Sequence, residues 1–242
     1  MLGGIRFYCL AIFAIASGLF FQQVNGQSVP PGQCATGVHA IMARGQAATG
    51  ETGFDPLNVM ISLQDLILKQ IPGSTSLGLP YQYGAQDKFV AVHDGAQMLQ
   101  NYVTSYVASC PKSRIVVVGY SLGACLAMDA ICGTSSLGLI PVTALDSKYS
   151  SNAWAVIGVI AYGDETYVPL QQWNVGTCDI GLGLFPRLAP WTCEPFAASI
   201  HSYCDIGDNQ CCSPYPLDNN AAHHAYVAKY DQDVVDFIKS RL

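Results

Sequence analysis

The chain has 242 residues, 50% of them hydrophobic, and a formal net charge of −6 at pH 7. This length and hydrophobic content suffice for one sizeable core. An acidic chain without a cluster of lysines and arginines lacks the positive surface with which proteins bind a nucleic-acid backbone, so we exclude nucleic acid as a partner. The sequence shows no internal repeat and no interdomain linker.

The first 26 residues have the pattern of a secretory signal peptide. Met1–Arg6 is short and basic, Phe7–Phe21 is mostly apolar, and the segment ends in the small residue Gly26. A membrane anchor is the alternative, but the apolar run is shorter than the roughly 20 residues that a helix needs to cross a bilayer. We therefore expect a secreted, extracellular protein, cleaved near Gly26, with a short lead-in over residues 27–33 and a single domain over residues 34–242.

The cysteines agree with an oxidising compartment. Cleavage removes Arg6 and Cys9, so the formal charge changes from −6 to −7 and the ten cysteines become nine. Nine cysteines in a secreted chain predict several disulfides and an unpaired thiol. A zinc site is the alternative for the stretch "YCDIGDNQCC", but that stretch lacks two spaced CxxC pairs. We expect no metal.

Beyond the lead-in, short apolar runs alternate with longer amphipathic segments, which is typical of a parallel sheet wrapped by helices. Two segments rich in turn-forming residues, Gly133–Ser151 and Val168–Phe196, are expected to be surface excursions. The predicted strands are Val38–Ala43, Arg114–Gly119 and Ala155–Tyr162, and the predicted helices are Pro56–Gln70, Ala85–Ser109, Ser121–Cys132 and His224–Leu242.

The second predicted strand leads directly into Gly119-Tyr120-Ser121-Leu122-Gly123, a G-x-S-x-G pattern. Five-residue patterns recur by chance, but here "IVVV" supplies the strand and "ACLAMDAIC" the helix that the pattern requires. A sharp strand-to-helix turn lifts the serine hydroxyl clear of the sheet and leaves the backbone N–H of Leu122 at a helix N-terminus, where it can donate to an oxyanion. We therefore predict Ser121 as a nucleophile.

A serine nucleophile needs a histidine base. Where the serine lies on a G-x-S-x-G turn between a strand and a helix, that histidine follows the serine in the chain. His39 and His93 precede Ser121, and His201 precedes "SYCD". His223 and His224 stand just before the last predicted helix, where a loop could present an imidazole. One of these two is the favoured base, and the residues alone do not choose between them.

The same C-terminal third supplies three candidates for the orienting acid, Asp205, Asp208 and Asp218. Asp208 lies between Cys204 and Cys211, and a small disulfide ring could hold its carboxylate rigidly against an imidazole. Spacing alone leaves Asp205 and Asp218 as alternatives for the orienting acid.

Several separated stretches resemble the fungal cutinase and acetylxylan esterase family of secreted α/β-hydrolases: "CPKSRIVVVGYSLGA", "MDAICG", "NVGTC" and "IHSYCDIGDNQCC…NNAAHHAY". The resemblance runs from Cys34 through the last helix. It implies a three-layer α/β fold, a parallel sheet flanked by helices without a large lid, and a triad of Ser121, Asp208 and His223. In this match His223 is the first residue of an H-x-x-Y pattern that Tyr226 completes.

The resemblance also implies an oxyanion hole formed by the backbone N–H of Leu122 and by Gln46. The family usually has glutamine at the first position and a hydroxyl residue at the second, so this chain departs from the pattern twice. The first donor is a backbone group and survives the change. Loss of the second would cost on the order of 3 kcal/mol of transition-state stabilisation.

The family's cysteine positions imply a pairing. Cys34 with Cys110, and Cys204 with Cys211, match bridges shared across the family. Four more cysteines match the acetylxylan esterase branch, and we expect Cys178 to pair with Cys193 and Cys132 with Cys212. Cys125 is then the odd thiol, and we interpret it as a small buried hydrophobe.

The expected activity is hydrolysis of a carboxylic ester by a monomer that needs no cofactor. The cysteine pattern favours removal of acetyl groups from a plant cell-wall polysaccharide. Apolar residues around the site, namely Leu122 and the Tyr215–Leu217 stretch, favour instead a groove for an aliphatic polyester such as cutin. A third interpretation is a secreted binding protein that has lost efficient catalysis.

Overall fold

The computed structural model describes residues 34–46, 60–82, 87–151, 155–214 and 221–242. Among these residues, none of the helices combines the length and the apolar character needed to cross a membrane. The elements of the described chain, in order, are β1 (Val38–Ala43), α1 (Ile61–Gln70), β2 (Thr75–Gly78), α2 (Lys88–Ser109), β3 (Arg114–Tyr120), α3 (Leu122–Cys132), a short 3-10 turn (Ser147–Tyr149), β4 (Val156–Tyr162), β5 (Asn174–Val175), a 3-10 helix (Pro190–Ser199), β6 (Ile200–Tyr203) and α4 (Ala221–Ser240).

The six strands form one sheet in the order β2-β1-β3-β4-β6-β5. Every neighbouring pair is parallel, so the carboxyl ends of all the strands lie at the same edge. β3 occupies the centre, and its run of β-branched residues suits a strand that is buried on both faces.

Helices cover both faces of the sheet. Alternate residues of β3 serve the two cores: Ile115 and Val117 pack with α2 and α3 on one face, whereas Val116 and Val118 pack with α1 and α4 on the other. This three-layer α/β fold, with a central parallel sheet flanked by helices, confirms the predicted fold class.

The three predicted strands are confirmed to within one residue at each end. The predicted helices are found as well, although the bounds of three of them differ by more than one residue; residues 47–59 and 83–86, which include the predicted starts of two, lie outside the described ranges. Three strands were missed: β2, β5 and β6, which are two to four residues long and too short for a periodic pattern to identify them. Of the two predicted surface excursions, Gly133–Ser151 contains a short 3-10 turn over Ser147–Tyr149, and Val168–Phe196 contains β5 and the first part of the 3-10 helix Pro190–Ser199.

Four disulfides are present among the described residues, and two of them correct the expected pairing. Cys34–Cys110 and Cys204–Cys211 are found as predicted. The remaining bridges are Cys132–Cys193 and Cys178–Cys212, not Cys178–Cys193 and Cys132–Cys212.

The element packing explains this correction. Cys132 ends α3, and the 3-10 helix that carries Cys193 packs against α3. Cys178 donates its backbone N–H to the carbonyl of Cys204, 3.0 Å away, so it lies beside the loop that carries Cys212. Relative positions of this kind depend on the tertiary structure and cannot be obtained from cysteine spacing.

Cys125 is the free cysteine of the described chain, as predicted. Its side chain is buried in the core between α2, α3 and the sheet. Burial, followed by the nearby charges of Asp129 and Asp164, raises the pKa of the thiol well above its usual value. A neutral, enclosed thiol is a packing residue rather than a reactive one.

Candidate active site

Ser121 is the single residue between β3 and α3, and its backbone is fixed in an unusual conformation. Its φ is 55° and its ψ is −122°, in a region that non-glycine residues rarely adopt. The N–H of Ser121 donates to the carbonyl of Tyr162 on the neighbouring strand, 2.8 Å away, and its own carbonyl accepts from the N–H of Ala124. The turn is therefore held from both sides, and the hydroxyl lies beyond the carboxyl end of β3.

The two glycines of G-x-S-x-G are required by close backbone contacts. A Cβ on Gly119 would clash with the carbonyl of Gly123, and a Cβ on Gly123 would clash with the carbonyl of Ala43 at the end of β1. Both positions therefore accept hydrogen as a side chain and nothing larger. The pattern found in the sequence is a steric requirement of this strand-to-helix turn.

The structure brings the three predicted triad residues together in hydrogen-bonding sequence. Nε2 of His223 lies 2.9 Å from Oγ of Ser121, and Nδ1 of the same ring lies 2.9 Å from Oδ2 of Asp208. Asp208 and His223 are buried, whereas Ser121 is partly exposed. Because a carboxylate only accepts hydrogen bonds, the proton belongs on Nδ1, which leaves Nε2 free to accept the serine proton.

Asp208 lies in a tight loop closed by the Cys204–Cys211 disulfide. Gly207 turns the chain with a φ of 98°, and the N–H of Gln210 donates to Oδ1 of Asp208 at 2.8 Å. One carboxylate oxygen is thus held by the loop itself, while the other faces His223. The small rigid ring proposed from the sequence is the arrangement found.

His223 does not lie in a loop before the last helix, as the sequence suggested, but in its first turn. α4 begins at Ala221, three residues earlier than predicted. The neighbouring His224 is exposed, and its Nδ1 lies 3.1 Å from the hydroxyl of Tyr120. Helical geometry turns consecutive side chains about 100° apart, so only one of the two imidazoles faces Asp208.

Asp205, one of the two competing acids, is bound elsewhere and not to the imidazole. Asp205 accepts from Lys229 at 2.7 Å, from the Tyr230 hydroxyl at 2.9 Å, and from Thr177. Burial acts to raise the pKa of Asp205, but the hydrogen bonds from Lys229, Tyr230 and Thr177 outweigh it and lower the pKa overall. Asp218 lies outside the described residues.

Gly163, at the end of β4, is a site residue that the sequence did not reveal. Its φ is 59°, and a Cβ there would lie 2.8 Å from Nδ1 of His223 and 2.9 Å from Oδ2 of Asp208. The absent side chain is what allows the imidazole and the carboxylate to meet at this place. A glycine at a strand end was a detectable signal, but many glycines serve only turns.

Leu122 opens α3, so its backbone N–H has no partner within the helix and stays available to an oxyanion. Its side chain is 2% exposed and belongs to the core formed with α2. The expectation that this side chain adds an apolar surface next to the nucleophile is therefore wrong, because the first turn of α3 directs it into the protein.

Gln46 is exposed and follows Gly45, which lies directly against Ser121. A Cβ on Gly45 would lie 3.3 Å from Cβ of Ser121 and closer still to the ring of Tyr120. The chain thus passes the serine immediately before Gln46. This placement suits the second oxyanion donor, whose role remains a prediction.

Among the described residues, one group of side chains has the spacing of metal ligands. Its members are the sulfur atoms of Cys178, Cys204 and Cys212, which lie within 4.8 Å of one another. Each of them is bound in a disulfide. A disulfide sulfur is not a thiolate ligand, so this cluster offers no site for zinc.

Asp164, the residue after Gly163, belongs to a buried group of charges with Arg187 and Asp129. Arg187 forms a buried ion pair with Asp129. Asp164 accepts hydrogen bonds from the N–H and the hydroxyl of Thr166, both at 2.8 Å. Burial raises the pKa of Asp164 to about 6, against the opposing effects of Arg187 and of these hydrogen bonds.

This raised pKa predicts a stability that falls as pH rises. Between the ordinary value of 3.8 and about 6, the folded state holds a proton on Asp164 that the unfolded state has lost, so its contribution is complete at low pH and disappears through pH 6. We expect the free energy of unfolding to decline over this window by about 3 kcal/mol from this group. Asp164→Asn, which keeps an acceptor for Thr166, should flatten the decline.

Chemical denaturation at a series of pH values checks this expectation. Asp236→Asn, which removes a charge from the exposed face of α4, is the matched control and should keep the wild-type slope. Equal slopes for wild type and Asp164→Asn would show that Asp164 does not titrate in this range.

Together, a parallel α/β sheet and a serine, histidine and aspartate joined by hydrogen bonds at the carboxyl ends of its strands define the α/β-hydrolase class of protein. The model of one family, Cutinase, matches residues 34–242. The chain belongs to the cutinase family, and it is a carboxylic ester hydrolase.

Relatives and solved structures agree with this assignment. The chain is 32% identical over 183 residues to Acetylxylan esterase 2 of Talaromyces purpureogenus, covering 73% of this chain and 76% of that protein. It is also 32% identical over 223 residues to Cutinase 11 of Verticillium dahliae, covering 87% and 70%. The catalytic core domain of acetyl xylan esterase from Trichoderma reesei superposes with a TM-score of 0.72 at 29% identity, covering 86% of this chain and 100% of that one. The similarities place the chain toward the acetylxylan esterase branch.

Proposed function

We propose that this protein removes acetyl groups from an acetylated plant cell-wall polysaccharide, through a covalent acyl-serine intermediate on Ser121. The observation that carries the proposal is the hydrogen-bonded sequence Ser121–His223–Asp208, with 2.9 Å at each step along the imidazole. This arrangement matches what nucleophilic catalysis by a hydroxyl group requires.

In the first half of the reaction, Oγ of Ser121 attacks the ester carbonyl while Nε2 of His223 takes its proton. The imidazolium that forms is stabilised by Asp208, which accepts from Nδ1–H and keeps the ring in the required tautomer. The carbonyl oxygen becomes an oxyanion, and the N–H of Leu122 and a donor from Gln46 stabilise it. His223 then returns the proton to the leaving alcohol.

In the second half, water replaces the alcohol. His223 removes a proton from the water as it attacks the acyl carbonyl, the same two donors stabilise the second oxyanion, and the proton passes back to Oγ of Ser121 as the acid departs. Each half uses the same three side chains, and no step needs a metal or a cofactor.

Two observations support acetate as the acyl group. Relatives named acetylxylan esterases match most of the chain, as does the Trichoderma reesei structure. The side chain of Leu122, one of two apolar features that favoured an aliphatic groove, is buried in the core. The other, the Tyr215–Leu217 stretch, lies outside the described residues.

Secretion belongs to the same proposal. The first 26 residues have the signal-peptide pattern, and the described chain contains four disulfides, which persist in oxidising compartments. We propose residues 1–26 as the signal peptide, 27–33 as a lead-in and 34–242 as one catalytic domain.

One observation favours a second candidate, an esterase for aliphatic polyester. Leu182 and Leu184 are exposed, and both lie beside the Asp208 loop, because Leu182 pairs with Ser213 and the N–H of Leu184 donates to the carbonyl of Gln210. These two exposed leucines, next to the loop that carries Asp208, give an apolar surface near the site.

A series of nitrophenyl esters from acetate to octanoate separates the two candidates. We expect kcat/KM to fall with chain length and acetate to be released from acetylated xylan, because a short acyl site leaves extra methylenes in water. An apolar groove would instead gain about 0.8 kcal/mol per buried CH₂, close to a fourfold rise in kcat/KM for each. Rates that climb in this way, with little acetate released, contradict the proposal.

Leu184→Ser tests the second candidate within the same series. If the apolar surface of these leucines binds the acyl chain, this variant flattens the climb with length; if acetate is the natural acyl group, the profile keeps its downward slope. Full-length protein without turnover on any ester would favour the third interpretation, a binding protein.

A further inference from the structure

We propose that Tyr226 is a positioning residue for this reaction: its hydroxyl donates to the same carboxylate oxygen of Asp208 that holds the imidazole of His223. The inference rests on the proposed function, since it concerns the same triad. It adds Tyr226 to Ser121, His223 and Asp208 as a fourth residue.

The geometry of Tyr226 determines the direction of its hydrogen bond. The hydroxyl lies 2.7 Å from Oδ2 of Asp208, the oxygen that is 2.9 Å from Nδ1 of His223. The same hydroxyl accepts from the backbone N–H of Asp205 at 2.9 Å. A phenol has a single proton to donate. Because the contact with Asp205 uses the proton of the backbone N–H, the hydroxyl proton of Tyr226 is directed at Asp208.

The helix explains how Tyr226 reaches this position. Tyr226 follows His223 by three residues on α4, so both side chains leave the same face of the helix and meet the Asp208 loop together. Asp208 and Tyr226 are fully buried. A hydrogen bond to a charged acceptor out of contact with water is among the stronger kinds.

Tyr226 remains a donor across the working pH range. Burial, followed by the charge of Asp208, raises the pKa of Tyr226 far above its usual value. The phenol is therefore neutral wherever the enzyme is folded, and Oδ2 of Asp208 accepts two hydrogen bonds at once.

Sharing one oxygen between two donors has a chemical consequence. The bond from Tyr226 draws off part of the negative charge that Asp208 offers to the imidazolium, so loss of this bond should leave more of that charge facing the ring. It also holds the carboxylate against rotation. The groups that face His223 are Ser121 and Tyr120 from the β3 turn, Asp208 from its loop, and His224 and Tyr226 from its own helix.

Tyr226→Phe removes only the hydroxyl, and Tyr230→Phe is the matched control. Tyr230 is on the same helix and donates to Asp205 at 2.9 Å, so its variant loses a tyrosine-to-aspartate hydrogen bond in the same cluster without touching Asp208. Both variants are measured by kcat and kcat/KM against pH with nitrophenyl acetate, by the NMR shift of the His223 Nδ1–H proton, and by thermal unfolding.

For Tyr226→Phe we expect the acid limb of kcat/KM to move to higher pH, kcat to fall by about tenfold, as for loss of one positioned catalytic hydrogen bond, and the Nδ1–H resonance to move downfield. Tyr230→Phe should leave all three unchanged. A Tyr226→Phe variant with lower thermal stability but the wild-type acid limb and resonance would make Tyr226 a structural residue and overturn the proposal.

A second substitution keeps the test decisive if the phenylalanine variant does not fold. Fluorotyrosine at position 226 is a more acidic phenol and a stronger donor, so the acid limb and the resonance should move in the opposite directions; no movement overturns the proposal. The resonance does not depend on turnover, so failure of the proposed function, seen as no ester hydrolysis by the wild type, is distinguishable from failure of this inference.

Discussion

Ser121→Ala should lower kcat/KM for nitrophenyl acetate by about 10⁴-fold or more, leaving only what the oxyanion donors and binding supply. The reason is geometric: the hydroxyl of Ser121 donates to Nε2 of His223 at 2.9 Å, on a turn that two glycines make possible. Initial rates on purified full-length protein measure the effect.

Ser113→Ala is the matched control for this loss. Ser113 immediately precedes the same strand at its opposite end, where its buried hydroxyl donates to the carbonyl of Ala35 at 2.8 Å. Its removal should cost about 1 kcal/mol of stability and leave the rate unchanged. Wild-type activity in Ser121→Ala would mean that another group performs the attack.

The second large effect is the contrast between two adjacent histidines. His223→Ala should lower turnover by about 10⁴-fold, because it removes the proposed base, the imidazole that bridges Ser121 and Asp208. His224→Ala should change kcat/KM by less than about threefold, because that ring is exposed and bonded to the hydroxyl of Tyr120. Initial rates for both variants, with unfolding curves to confirm folding, measure the contrast.

The reverse order of effects would contradict the orientation of α4. A loss of activity in both variants would mean that Tyr120, which joins His224 to the carbonyl of His223 at 3.0 Å, transmits a displacement from one imidazole to the other. That outcome would leave the triad intact but make His224 part of its support.

The central strands were predictable because their signal is strong and local. β3 and β4 are continuous apolar runs that only a strand buried on both faces explains, and the G-x-S-x-G turn follows β3 directly. The short strands β6 and β5, at one edge of the sheet, carry no comparable pattern. β6 is four residues long and β5 is two, and both depend on neighbours far away in the chain.

A site residue was predictable from the sequence where a local pattern of residue types marks it, as the G-x-S-x-G turn marks Ser121. Ser121 follows from its turn, whereas the choice of Asp208 and His223 came from resemblance to a family. Gly163 was missed because its role, leaving space where an imidazole meets a carboxylate, depends on tertiary packing. The Cys178–Cys212 and Cys132–Cys193 pairs were missed for the same reason.

Leu122 shows how a correct position can carry a wrong interpretation. Its backbone begins α3 directly after Ser121, which suits the proposed oxyanion donor, but its side chain points into the core and contributes nothing to a groove. Sequence indicates which residue follows the nucleophile, whereas the helix that begins there decides where the side chain goes.

The most direct test of the account is to trap the acetyl-enzyme. Protein mixed briefly with nitrophenyl acetate and quenched in acid should carry one acetyl group, which peptide mapping by mass spectrometry should place on Ser121, and Ser121→Ala should carry none. Acetylation of another residue, or hydrolysis without any covalent adduct in a quench fast enough to outrun turnover, would contradict the acyl-serine mechanism.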